Sequence, residues 1–247
     1  GLFKRVKSSF LLLLDSYLEL RAGLIFSDSN PQAEKNQVLL QNIVGLQAKF
    51  FAYLKTSADP LYVYFLMFSE HKYFHFDRSL QVASLAHLFS QITGVGDPAV
   101  VFTSGLLAYS GHFNLDHLSY YQWHLQNEKD LDETFRQRLS EAVAQSVEIC
   151  KIKMVNLVDP IQSVISSLSE RHDGKGFPGK QSGEQIPVEA ALVHLIEYWL
   201  RETEGKTFSN PSQAYDSFRA VLNFAKESLM IHPTIIEQLE KTGFPAA

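Results

Sequence analysis

Apolar positions in the first part of the chain fall three and four residues apart, the spacing that lines one face of an α-helix. Phe3, Val6, Phe10, Leu13, Leu14, Tyr17 and Leu24 predict a helix over residues 3–26. Val38, Leu39, Ile43, Leu46, Phe50 and Leu54 predict a second, which Ser29 or Asn30 can cap and which carries Pro31 in its first turn. Together they read as a helical hairpin. From about residue 77 the pattern becomes helices joined by short polar turns. "DRSLQVASLAHLFSQITG" opens with Asp77 as a cap and ends at Gly94, and "DPAVVFTSGLLAYSG" opens with Asp97 and Pro98 and ends at Gly111. "LDETFRQRLSEAVAQSVEICKIKMV" is a long helix whose first-turn acids suit the helix dipole. Residues 158–170, "PVEAALVHLIEYWLRET", "NPSQAYDSFRAVLNFAKES" and "HPTIIEQLEKTG" continue the series. No run alternates apolar and polar residues between turn signals. The fold class is therefore all-α, without internal repeats or low-complexity tracts.

One stretch interrupts the helices. "SERHDGKGFPG", residues 169–179, concentrates glycine and proline enough to force a specific loop between two helical segments. Composition changes the picture only by exclusion. At 247 residues and 45% hydrophobic, the chain can bury a sizeable core in one large domain, or in one domain with a smaller helical companion. A net charge of -5 removes the overall basic character that binding to a nucleic-acid polymer needs. The single cysteine, Cys150, cannot form an internal disulfide; it reads as a buried apolar residue, and a reducing, cytoplasmic setting is expected. "FLLLL" and "PLYVYFLMF" are too short to span a membrane. The opening "GLFKRVKSSF" has neither Met nor a secretory cleavage pattern, so further sequence upstream is expected.

The loop reads Leu168, Ser169, Glu170, Arg171, His172, Asp173, Gly174, Lys175, Gly176, Phe177, Pro178, and it is similar to the signature HHExxDGxGYP of the HD-GYP family, bacterial metal-dependent phosphodiesterases of cyclic di-GMP. Five further segments stand in the family's order, three before the loop and two after it. "DRSLQVASLA" resembles HSxRVAxLA, "GLLAYSGHF" resembles LLHDIGK, and "LDETFRQRLSEAVAQSVEIC" resembles LTxEExxxIxxHPxxGxxIL. "GEQIPVEAALVHLIEYWL" resembles the continuation G-x-x-I-P-x-E-A-R-I, and the likeness runs through "NPSQAYDSF" to "IHPTIIEQLE". Residues 74 to 242 are covered. The resemblance implies an HD-superfamily helical bundle over residues 74–247, with residues 1–73 as an additional helical region for dimerisation or regulation.

The resemblance also assigns ligand positions, and nearly all are replaced. The first ligand histidine falls at Arg78, the glutamate before it at Phe74, and the His-Asp pair at Ala108 and Tyr109, with His112 at the following lysine position. The HP-turn histidine falls at Ala142, the signature His-His pair at Leu168 and Ser169, and the last aspartate at Glu197. Glu197 alone could still coordinate metal, whereas Arg78 brings a permanent positive charge to a place meant for cations. A dinuclear centre of the family type is not expected to form, so neither a metal nor another cofactor is assigned and no residue is assigned as catalytic. His71 and His75 are spaced to share a helix face, and His112, His117 and His124 lie in a loop-rich stretch; all read as exposed, incidental histidines rather than a relocated site. His87, His194 and His232 read as packing or capping residues.

Glu170, Arg171, Asp173, the glycines and Pro178 are expected to keep the loop's backbone and its internal hydrogen bonds. Phe177 stands where the family has a tyrosine that contacts substrate phosphate, and Lys206 falls nearest its phosphate-binding arginine. The reading is a catalytically inactive domain that binds a diguanylate cyclase domain or another signalling protein. The alternative is a cyclic dinucleotide sensor that grips phosphate with Arg78, Lys175 and Lys206, against which Arg78 could pair with Glu197 or Asp173 and fill the emptied space. Lys175, Lys180 and Lys206 read first as plain surface lysines. A residual metal-dependent phosphodiesterase is the third option. Broad apolar faces on the N-terminal helices, with Phe50, Phe51, Tyr53 and "YVYFLMF", must be covered by the core or by a second copy of the chain, and a homodimer is expected.

Overall fold

The computed structural model describes residues 1–26, 30–69, 78–115, 132–203 and 206–241, and every regular element among them is helical. Among the described residues ten α-helices follow one another: α1 (Leu2–Phe26), α2 (Asn30–Leu54), α3 (Pro60–Ser69), α4 (Ser79–Thr93), α5 (Pro98–Leu107), α6 (Glu133–Lys153), α7 (Asp159–Ser166), α8 (Val188–Glu202), α9 (Pro211–Glu227) and α10 (Pro233–Lys241). No helix of the described residues is long and apolar enough to cross a membrane.

α1 buries Val6, Phe10, Leu13, Leu14, Tyr17, Leu20 and Leu24, one side of a 3.6-residue repeat, against α2. Phe10 meets Phe50 at 5.9 Å between ring centroids. The hairpin joins the rest through α6 and α5, and its apolar residues belong to the same continuous core. Two polar contacts fix how it sits: Asn36 Nδ2 donates to Lys153 O (2.9 Å) and Ser84 Oγ to Gln47 Oε1 (3.1 Å), both buried. Leu11, Leu12, Leu18, Val38 and Val44 face outward.

α8 is the central element. Its residues from Ala190 to Trp199 are all buried, because α4, α5, α7 and α9 surround it. Trp199, Phe89 and Phe218 interlock around it, with Phe89 and Phe218 centroids 4.5 Å apart. Helix starts follow their caps. Asp97 Oδ1 accepts from Ala99 and Val100 N–H ahead of α5, Asp132 Oδ1 from Phe135 N–H ahead of α6, and Asn210 Oδ1 from Gln213 N–H ahead of α9. Gly94 closes α4 at φ +70.

Two expectations need adjusting. α5 ends at Leu107 rather than at Gly111, and residues 110–114 form a separate 3-10 turn. Gly111 is therefore no helix cap. It lies against α6, where a Cβ would overlap Ala142 O and Ser146 N, and its N–H donates to Ser146 Oγ at 2.8 Å. Asp77, proposed as the cap of α4, lies outside the described residues, as do Phe74, His71, His75, His117 and His124.

Candidate functional site

Between α7 and α8 the chain leaves the helical pattern and runs as the glycine-rich loop. Three residues hold its course. Glu170 is buried, and its carboxylate accepts the N–H groups of Gly179 and, at 3.0 Å, Gln181. Burial pushes its carboxyl above the ordinary range, and the backbone N–H groups pull it partly back. Arg171 grips Asp173 with two contacts (Nε–Oδ1 3.1 Å, Nη2–Oδ2 3.2 Å) and also donates to Ser228 O at 2.8 Å. Asp173 Oδ1 in turn accepts Lys175 N–H. Burial acts to raise the Asp173 carboxyl, but the Arg171 bonds, the Lys175 N–H and both positive charges outweigh it, so Asp173 sits below the usual range.

The loop is tied down from outside as well. His172 and Asp173 donate their N–H groups to Met230 O and Leu229 O, and the His172 ring meets His232 edge to face at 4.7 Å. His194 Nδ1 lies 3.1 Å from Glu170 O, so that nitrogen carries the proton, since a carbonyl only accepts. Gly176 permits the tightest part of the turn: a Cβ there would overlap the backbone of Ser169, Glu170 and Arg171. Gly174 sits at φ +73, in the region that favours glycine. Phe177 is buried and Pro178 exposed.

Beneath the loop lies a cavity of ≈ 20 Å³ whose walls include Tyr109, Leu168, Ser169, Phe177 and Glu197. Those five positions from the sequence comparison are thus brought together, with His112, His194 and Arg201 beside them. Arg78 reaches the same group: its Nη1 is 3.7 Å from Glu197 Oε1, and its side chain is 1% exposed. Arg201 donates to Glu197 Oε2 from Nε (3.1 Å) and Nη2 (2.9 Å). Ala108 and Ala142 are buried without lining the cavity. Lys175 is on the surface, 81% exposed, with its ammonium 3.8 Å from Asp173. Lys206 lines a different depression.

His112 corrects an expectation. It is buried rather than exposed, and burial, reinforced by the Arg201 charge, pushes its imidazole down to about 3. The ring is neutral and packs against Tyr109 at 5.3 Å. Tyr109 is driven well above its ordinary value by burial and then by the Glu197 charge, with Arg201 and Arg78 opposing. Arg201 went unnoticed in the sequence, although its spacing of four from Glu197 on one helix is the signal that could have found it. His87, His194 and His232 are engaged in packing or capping: His87 packs between Phe51 and Phe102, and His232 Nδ1 accepts Thr234 N–H at the start of α10.

This donor set does not fit a dinuclear metal centre. Its one carboxylate among the described residues, Glu197, is already held by guanidinium groups, and the permanent charges of Arg78 and Arg201 oppose any cation brought beside it. Among the described residues no group of three or more His, Cys, Asp or Glu side chains could hold a metal ion.

No protein-family model and no curated protein matches the chain. Among solved structures, one titled "Bd1817, a HDG"Y"P protein from Bdellovibrio bacteriovorus" is similar, with a TM-score of 0.65 at 14% identity, over 98% of this chain and 72% of that one. At that identity the likeness is one of fold: the chain has the helical architecture of an HD-GYP protein. A match over 98% of the chain also takes in the N-terminal helices, which the segment-by-segment likeness of residues 74 to 242 had left aside.

Proposed function

We propose that the chain is a non-catalytic HD-GYP-type domain that acts in bacterial cyclic-dinucleotide signalling, in the cytoplasm, by binding a diguanylate cyclase domain or another signalling protein. The observation that carries this reading is the ion cluster in the centre of the fold. A dinuclear phosphodiesterase needs several imidazole and carboxylate ligands to lower the pKa of a bridging water and to clamp phosphate. Here Arg78 and Arg201 converge on Glu197. The room left is ≈ 20 Å³, enough for water or a small ion and far below the 300–1,000 Å³ or so of ordinary ligand sites.

The loop supports a binding role. Lys175, Pro178, Gly179 and Lys180 face solvent from a backbone pinned by Glu170, Arg171 and Asp173. A partner that engages it meets a surface already ordered and loses little in fixing it. Homodimerisation through α1 and α2 is a further part of the reading, resting on their outward apolar residues; a monomeric mass by light scattering counts against it.

The test is hydrolysis of cyclic di-GMP with Mn, Fe or Mg supplied, together with the metal content of the purified chain. No turnover and less than one metal per chain are expected; metal-dependent turnover or two tightly held metals per chain overturns the reading. The dinucleotide-sensor alternative needs Arg78, Lys175 and Lys206 to converge. They lie apart, one buried on Glu197, one on the loop surface and one at another cavity, so the first reading is favoured. Saturable heat on calorimetric titration with cyclic di-GMP would reverse that preference.

A further inference from the structure

A second cavity, of ≈ 360 Å³, opens between α8 and α9. α8 lends it Tyr198 and Glu202, one turn apart on a flank next to the one that carries Glu197 and Arg201. α9 lends it Ser217, Ala220, Val221 and Phe224, whose spacing puts them on one face. Its size falls in the ordinary range for small-molecule sites, unlike the space under the glycine-rich loop.

The chemistry of its walls is mixed in a specific way. Tyr198 and Phe224 stack nearly parallel, 9° between planes and 5.1 Å between centroids, and form an aromatic wall. Ser217 Oγ accepts the Trp199 indole N–H at 2.9 Å, which leaves its own hydroxyl hydrogen for another acceptor. Glu202 and Lys206 bring opposite charges to the same cavity. A flat apolar wall, a cation and an anion in one cleft match a ligand with the same three features reversed.

We propose that this cavity binds an aromatic ring carrying one anionic group and one hydrogen-bond donor, the chemistry shared by mononucleotides and aromatic amino acids. The ring lies along the open edge of the Tyr198–Phe224 stack, Lys206 takes the phosphate or carboxylate, and Glu202 accepts from the base amino group or the ammonium. Ser217 adds a donor to the anionic end. The site is separate from the Glu197 cluster and from the loop, so its failure would leave the reading of those regions untouched.

Trp199 provides the readout, because its indole is bonded to a residue of the cavity wall. The full chain carrying Trp123→Phe has one indole and is titrated with guanosine monophosphate, adenosine monophosphate, phenylalanine and inorganic phosphate while fluorescence is followed. A saturable change with a mononucleotide or with phenylalanine is expected, and which of the two produces it identifies the source. Lys206→Ala, at an exposed position, should weaken binding about tenfold or more, the loss expected for one charge-assisted bond. Ala220→Trp, also at an exposed position, should abolish it by filling the cleft. No saturable change at millimolar ligand overturns the proposal. So does binding that Lys206→Ala leaves unaltered, or inorganic phosphate binding as tightly as the aromatic ligands.

Discussion

Two buried carboxylates, Glu170 in the loop and Glu197 in the centre beneath it, are held by opposite kinds of partner. Glu170 is 1% exposed and is met by backbone N–H groups, so its charge dictates the path of the chain. Glu197 is 4% exposed and is met by guanidinium groups that arrive from the start of α4 and from its own helix, so its charge fills space. A carboxylate bound by backbone cannot be exchanged for an apolar group without losing the shape of the loop. A carboxylate bound by arginines belongs to a unit that could be replaced together. The difference shows that protein groups alone hold the loop over a centre whose other positions are Ala, Leu and Tyr: backbone N–H groups meet Glu170, and Arg171 meets Asp173.

The contrast predicts its own largest effect. Glu197→Leu leaves Arg78 and Arg201 buried without their carboxylate and should cost about 3–5 kcal/mol, read as a shift in urea midpoint. Replacing all three, with Met at 78, Leu at 197 and Met at 201, should recover most of that loss. A single Glu197→Leu variant as stable as the parent would break the comparison, since the cluster would then hold nothing together.

The pH response divides the regions next. An unfolded histidine takes up its proton near 6.5, whereas buried His112 does so only near 3, so the unfolded state binds more protons between those values. Stability therefore falls as pH drops through that window, by about 2 kcal/mol from this group at pH 5. His112→Gln should shrink the stability difference between pH 7.5 and pH 5 by about that amount. Glu170 has the reverse sign. Because its carboxyl is raised in the fold, the folded state binds more protons, and this group's contribution declines as pH rises through 4.5. Glu170→Gln, which keeps one carbonyl acceptor, should cost about 1–2 kcal/mol at pH 7 and remove that pH dependence. An unchanged pH profile in His112→Gln would move the pH-sensitive group away from the centre.

How far these features could be read in advance follows from how local they are. Caps announce themselves within four residues, and Asp97, Pro98 and Gly94 bound their helices as their types require. The loop was equally local, since glycine at 174 and 176 and an acid at 173 can be read within one turn. Gly111 misled because glycine serves both as a helix end and as a point of close approach, and only the arrival of α6 decides which. His112 was misjudged for the same reason: its burial comes from elements distant in sequence. The cavity between α8 and α9 had no signature, because Tyr198 and Phe224 are stacked by packing rather than by any shared motif.

The smallest expected effect concerns Phe177, where the family signature has tyrosine. The ring is 9% exposed and lines the ≈ 20 Å³ cavity, so an added hydroxyl has a little room and polar neighbours, including Glu197 and Arg201, along the same walls. Phe177→Tyr should therefore change stability by less than about 1 kcal/mol, as one more hydrogen bond offsets the burial of one more polar atom. On the proposed non-catalytic reading it should also leave cyclic di-GMP hydrolysis at background in the presence of Mn, because a tyrosine hydroxyl supplies no imidazole or carboxylate ligand. Any metal-dependent turnover gained by this one oxygen would mean that the centre still holds cations despite Arg78 and Arg201, and the opposition between a preserved loop and a filled centre would collapse at its weakest joint.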